Sequence, residues 1–267
     1  MHTSHFRHKF DLCGAKIALI LILFLGLGTQ GFSQGYFGLT NNSGSDDKWT
    51  SYGFFLGMHT ASYQLRYSPE FLNPANASTA AIYSIYPKFT PGFSLGFIGI
   101  FRFHDQVNLI FTPKIGFYEY KVDVNYANGS TTTNSNSSTG SALPELGYRS
   151  EELVNEATLV ELPVLFKYRS MRFNNTRMFF IGGGSYLFNT KSQEEIFLDP
   201  LVTASRDFTV EAGMGFEIYF KYFKFAPEIR FSHGINNLYL PERNAPEIRD
   251  AISSIRRKGI SIYLNFQ

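Results

Sequence analysis

Cysteine and tryptophan each occur once in the 267 residues, and charged residues make up only 17% of the chain. One cysteine excludes an intramolecular disulfide framework. Charge this far below the roughly 25% of ordinary soluble domains, with 44% hydrophobic residues, excludes a disordered chain. A basic excess is missing too: 24 Lys and Arg against 22 Asp and Glu leave a formal charge of +2. That balance offers no phosphate-reading surface, so nucleic acid is not an expected partner. After Leu27 no apolar run approaches the roughly 20 residues that a membrane-spanning helix needs. Helical spacing is almost absent.

The chain is rich instead in aromatics, with 28 Phe and 16 Tyr. Its first segment reads as an address: Arg7, Lys9 and Lys16 precede the apolar run Ile17 to Leu27, and Gly31-Phe32-Ser33 supplies a small-x-small cleavage site. Cleavage is expected after Ser33. Residues 1–33 are then a signal peptide, 34–51 an N-terminal periplasmic segment, and 52–267 the folded domain. Cys13 stands before the apolar run, so it reads as a leader residue and not as a lipoprotein acceptor. All-β barrels fill such a length as one domain.

The mature chain alternates with period 2, the signature of half-buried strands. Phe93, Leu95, Phe97, Phe101 and Phe103 share one face, with Ser94, Gly96, Ile98, Ile100 and Arg102 opposite. Val107, Leu109, Phe111, Ile115 and Phe117 alternate with Asn108, Thr112, Lys114 and Gly116. Val160, Leu162, Val164, Phe166 and Tyr168 alternate with Glu161, Lys167 and Arg169. Phe208 to Phe220 alternates with Glu211 and Glu217, and Phe223, Phe225, Ile229 and Phe231 alternate with Lys224, Glu228, Arg230 and Ser232. With Gly53 to Tyr67, Arg177 to Asn189 and Ile260 to Phe266, eight strands are predicted.

Connections at His104 to Gln106, Ser170 to Thr176 and Lys221-Tyr222 are short. Those near Ser68 to Pro91, Asn125 to Glu156, Thr190 to Arg206 and Asn237 to Arg257 are long. Short turns at one end, long loops at the other and an even strand number predict an all-β, eight-stranded, antiparallel up-and-down transmembrane β-barrel, placed in the cell outer membrane with its long loops outside. The tract Asn128 to Asn136 is of low complexity and is expected to be mobile. Pro246, followed by Ile248, Ile252 and Ile255, predicts a short surface helix.

An Arg or Lys on the lipid side near the midplane costs about 2 to 4 kcal/mol. Arg102, Lys114, Glu161, Lys167, Glu211, Glu217, Glu228 and Arg230 are therefore expected to face the lumen as a structural charge network, and the Phe-rich face to meet lipid. An eight-stranded barrel is narrow enough for side chains to fill, so little or no conduction is expected. Gly182-Gly183-Gly184 lacks the lysine and following helix of a phosphate-cradling loop and reads as strand packing. Pro113, Pro163 and Pro227 count against uninterrupted strands, since proline is expected there only at bulges or edges.

Chemistry is scarce. His59, His104 and His233 have no ligand spacing, so neither a metal nor a cofactor is expected. Ser232, His233 and Glu228 lie close in sequence, but alternation turns His233 away from the other two, which defeats a triad. No catalytic residue is assigned. Arg256-Arg257-Lys258, at the outer edge of the last strand, reads either as a cationic contact for lipopolysaccharide phosphates or as a solvated strand end.

Glu161-Leu162-Pro163-Val164-Leu165-Phe166-Lys167-Tyr168 resembles the Glu-aliphatic-Pro strand of Bacteroidetes outer-membrane barrels. The stretch from Tyr222 through Phe225-Ala226-Pro227-Glu228 to Gly234-Ile235-Asn236-Asn237 resembles the penultimate hairpin of the PorT family of the type IX secretion and gliding system. The similarity runs from about Gly53 to Phe266. It implies a non-enzymatic barrel needed for export of cargo bearing type IX signals, with outer-membrane lipids and other components of that machine as partners. It also implies that prolines belong at those strand positions. A soluble lipocalin would leave the Phe-rich belt exposed to water. An OmpA-like anchor or adhesin without a secretion role is the main alternative, and a lipid A-modifying enzyme the lesser one.

Overall fold

The computed structural model describes residues 48–73, 82–128, 147–191, 197, 199–220 and 222–267. The expected signal peptide, Cys13, nearly all of the N-terminal segment and most of the tract Asn128 to Asn136 lie outside the described residues. Ten strands form among the described residues: β1 (Thr50–Tyr67), β2 (Ile82–Lys88), β3 (Thr90–Arg102), β4 (Val107–Phe111), β5 (Lys114–Asn128), β6 (Gly147–Arg169), β7 (Thr176–Asn189), β8 (Arg206–Tyr219), β9 (Lys224–Gly234) and β10 (Ile252–Phe266). A 3-10 turn (Pro241–Arg243) and a helix α1 (Pro246–Ala251) precede β10. Among the described residues no helix is long and apolar enough to cross a membrane.

The strands follow from the alternation. Along β8, Asp207, Thr209, Glu211 and Glu217 are buried while Phe208, Val210, Met214 and Phe216 are exposed, because successive side chains leave a pleated strand on opposite faces. The same parity exposes Phe93, Phe97, Phe101 and Phe231 as an apolar belt, in which Phe93 stacks on Phe117 with ring centroids 4.7 Å apart.

Pairing is antiparallel throughout and closes a ring: β1-β10-β9-β8-β7-β6, then β6 to β4 and β5, both to β3, and β3 back to β1. Thr112-Pro113 divides one wall strand into β4 and β5. Phe111 opposes Val164 and Lys114 opposes Glu161, so the register on β6 is unbroken across the gap. The wall therefore has eight strands. β2 stands in addition to them, running into β3 and pairing with the outer part of β5.

The prolines make no bulges. Thr112 N–H donates to the Pro163 carbonyl at 3.2 Å and Phe97 N–H to the Pro113 carbonyl at 3.0 Å. Each proline keeps its acceptor in the ladder and lacks only its donor. At Pro227 the β8–β9 register is the same on either side, from Gly215 opposite Glu228 to Ile218 opposite Phe225. Register shifts occur instead at Arg66/Tyr67 and Ile82/Ser84, above the belt.

The long connections are more ordered than expected. The segment Ser68 to Pro91 contains β2, and β5 and β6 reach Asn128 and Gly147, well into the expected second loop. The helix is shorter than its isoleucine spacing predicts: Ile252 and Ile255 belong to β10, and Ile248 is buried rather than at the surface. These segments build an apolar core at the loop end of the barrel, where Tyr63, Ile85, Val122, Val124, Leu201, Tyr239, Ile248 and Ile255 are all buried. The Tyr239 hydroxyl donates to the Ile248 carbonyl at 2.9 Å. Burial, with Asp250 nearby, pushes that hydroxyl up to about 12.

Candidate functional site

The inward faces of the wall strands carry charges in tiers. Nearest the short turns, Lys167 of β6 pairs with Glu217 of β8. Lys224 of β9 and Arg169 reach the same carboxylate at 3.4 and 3.6 Å, and the Tyr219 hydroxyl donates to it at 3.0 Å. Lys167 Nζ also lies 3.7 Å from the Phe179 ring centroid, a desolvated cation–π contact.

In the middle tier Lys114 Nζ is 2.9 Å from Glu161 Oε2 and donates to the Tyr263 hydroxyl at 2.5 Å. The Tyr118 hydroxyl donates to the other Glu161 oxygen. Arg230 bridges Glu211 at 2.9 Å and Glu228 at 2.6 Å, and its guanidinium lies 4.5 Å from the Tyr263 ring centroid. Tyr263 thus joins the two ion clusters. A lone buried charge would carry a desolvation penalty of several kcal/mol, on the order of what such close pairing offsets.

In the outer tier His59 of β1 stacks on Tyr118 with centroids 4.0 Å apart, and neither of its ring nitrogens has a hydrogen-bond partner. Arg257 lies 3.7 Å from Asp207. The space enclosed by His59, Tyr118, Tyr120, Glu161 and Arg257 is about 20 Å³. That is room for about one water molecule, which needs roughly 10 to 15 Å³ by this measure.

Of the eight lumen residues picked from the sequence, seven are buried in these contacts. Arg102 is placed elsewhere. Its guanidinium donates to the Lys48 carbonyl at 2.7 Å and to the Ser51 hydroxyl at 3.3 Å, at the short-turn rim. Parity gave its face but not its depth, since it ends β3. Arg169, Lys224, Asp207 and Arg257 complete the tiers. Arg169 and Lys224 share parity with Lys167 and Glu228, a signal present in the sequence. The run Arg256-Arg257-Lys258 divides, because Arg257 turns inward and its neighbours outward.

Ser232, His233 and Glu228 do not come together as a triad. Ser232 donates to the Gly259 carbonyl at 3.4 Å, whereas His233 is exposed on the opposite face. His104 lies in the β3–β4 turn. Among the described residues no group of three or more His, Cys, Asp or Glu could hold a metal ion.

Solved structures to which the chain is similar include those of neisserial surface protein A (NspA), the outer membrane protein OprG of Pseudomonas aeruginosa and the N-terminal β-barrel domain of OprF from the same organism. NspA is 10% identical over 82% of this chain and 98% of its own, with a TM-score of 0.40. OprG is 10% identical over 80% and 94%, at 0.37. OprF is 11% identical over 79% and 96%, at 0.25. No curated protein matches the sequence. The family model of the outer membrane protein beta-barrel domain matches residues 32–240. With that match over most of its length, and with a closed eight-stranded wall, this chain belongs to the outer-membrane β-barrel protein family and is an outer-membrane protein.

Proposed function

We propose that the chain is a non-enzymatic component of the type IX secretion system, of the PorT kind. The observation that carries this reading is the filled lumen joined to the residue pattern. Among the described residues, ionic tiers from Lys224 to Arg257 and an apolar core above them leave no passage for a polypeptide. A barrel of this kind serves a secretion machine as a membrane-held part and not as its conduit. The resemblance of Glu161 to Tyr168 and of Tyr222 to Asn237 to PorT barrels supports membership of that machine. Lys114, Glu161, Lys167, Glu211, Glu217, Glu228 and Arg230 then serve stability, and the other secretion components are the protein partners.

The second reading, an anchor or adhesin without a secretion role, draws on the same outer core, which would hold the loops as a firm surface. Deletion of the gene separates the two. Under the secretion reading, proteins with type IX C-terminal signals accumulate in the periplasm while other outer-membrane proteins stay in place. Cargo reaching the surface at normal levels would leave the anchor or adhesin reading.

A further inference from the structure

Two of the three cations in Arg256-Arg257-Lys258 take no part in the lumen. On the outward face of the β1–β10 seam, cross-strand pairs run Phe54–Phe266, Leu56–Leu264, Met58–Ile262 and Thr60–Ile260, then Ser62–Lys258, Gln64–Arg256 and Arg66–Ser254. The change from apolar to cationic takes a single two-residue step. At about 3.4 Å per residue, Lys258 stands about 7 Å beyond Ile260, where acyl chains give way to headgroups. Lys258 Nζ lies 5.1 Å from the ring centroid of Phe89, itself exposed at the top of the belt. A shallow cleft of about 100 Å³ opens beside it, lined by Gln64, Leu65, Arg66, Ser254 and Arg256.

Among the described residues no carboxylate lies within ion-pair distance of Arg66, Arg256 or Lys258. The neighbouring β2–β5 pair differs. There Lys121 is 2.9 Å from Glu119, and Lys88 is 2.7 Å from Asp123 and 3.1 Å from Glu152. Arg66, Arg256 and Lys258 thus stand together on one seam, within four residues along β1 and β10. The planar guanidinium fork matches phosphate oxygens two at a time.

We propose that this seam binds the phosphorylated headgroup of lipid A in the outer leaflet, with Arg66 and Arg256 holding a phosphate across the cleft and Lys258 at the edge of the belt. A soluble anion would use the cations alone. A phosphorylated lipid also covers Met58, Ile260 and Ile262 below them, so it fits both halves of the junction. The inference rests on outer-membrane placement and is independent of the secretion reading.

The test uses residues 34–267 refolded in micelles, with folding checked by the different gel mobility of unboiled and boiled samples. Binding of fluorescent lipid A is titrated for the wild type, for the triple variant R66Q/R256Q/K258Q and for K121Q, whose lysine is paired with Glu119 on β5. Each cation near an anionic surface is worth about a fivefold change, so the triple variant is expected to bind roughly 100-fold more weakly. K121Q is expected to match wild type, and phosphate-free lipid A to bind all three equally weakly. If the triple variant does not fold, R66Q and R256Q are measured singly, with about a fivefold loss expected of each. Wild-type affinity in the charge variants, equal affinity of wild type for phosphate-free lipid A, or an equal loss in K121Q would overturn the proposal. So would displacement of lipid A by a soluble acidic polysaccharide at equal phosphate-equivalent charge, which would make the occupant a glycan.

Discussion

Gly183 of β7 lies against the Val164 carbonyl of β6, so that a β-carbon at Gly183 would stand 2.3 Å from that oxygen and 2.9 Å from Leu165 Cα. Its neighbour Gly182 faces outward and has nothing nearer than the Glu211 carbonyl at 4.0 Å. The three glycines occupy mid-strand positions on β7, which fits close wall packing and not a ligand loop. Gly183→Ala forces the β6–β7 backbones apart and is expected to cost about 1 to 3 kcal/mol, as overpacking does. Gly182→Ala should stay within about 0.5 kcal/mol. Urea midpoints of the two refolded variants check this, and equal midpoints would contradict the packing described.

Asp123 and Lys88 hold the outer β2–β5 pairing together, above the apolar belt. Burial by itself raises the Asp123 carboxyl, but Lys88 Nζ at 2.7 Å and the Tyr86 hydroxyl outweigh it and hold the group below its ordinary 3.8. The unfolded chain regains protons at about pH 3.9, before the folded chain does. The stabilisation is therefore fully present above about pH 4 and disappears as pH falls through the lowered folded value. Lys88, raised by the same contact, stays charged over that range. Amide exchange along Ile82–Lys88 should quicken on acidification below pH 4, and Asp123→Asn should remove that dependence while leaving exchange in β8 unchanged.

Leu201 belongs to the outer core and is fully buried. Asn155 and Leu201 exchange side-chain and backbone hydrogen bonds, which pin the loop between β7 and β8 onto β6. Leu201→Ala should cost about 2 to 5 kcal/mol of local stability, as buried Leu truncations do. Limited proteolysis of whole cells should then cut the loops faster, while the unboiled barrel keeps its gel mobility. Loss of that mobility as well would mean that the outer core and the wall fold as one unit.

Alternation made the wall legible. Period 2 fixes which face each residue takes, and Lys114, Glu161, Glu211 and Arg230 needed only that rule to share the interior. Depth along the strand obeys no such rule, which is why Arg102 ends at the rim. Arg257 enters the lumen between two outward neighbours by alternation, because β10 begins at Ile252, ahead of the strand predicted from Ile260. The outer core was hidden for another reason. Ile82, Leu201 and Tyr239 come from segments read as loops, and Ile248 from a spacing that reads as a surface helix, and their burial exists only once β1, β5 and β6 run past the belt. The prolines count against unbroken strands in the sequence because each lacks a ladder donor, yet the ladder runs past Pro113 and Pro227 without a change of register.

Inward and outward facing is tested most directly at two adjacent residues of β6. Glu161 is buried against Lys114, which opposes it across the ladder, whereas Leu162 faces outward. Glu161→Ala leaves a buried lysine uncompensated, at about 3 to 5 kcal/mol. Leu162→Arg places a charge on the lipid side, at about 2 to 4 kcal/mol near the midplane, and Leu162→Ala removes little beyond lipid contact. Denaturant unfolding of the three variants in lipid vesicles should therefore give low midpoints for Glu161→Ala and Leu162→Arg and a near wild-type midpoint for Leu162→Ala. A tolerated Leu162→Arg, with Glu161→Ala and Leu162→Ala behaving alike, would reverse the facing of β6 and contradict the charge-filled lumen.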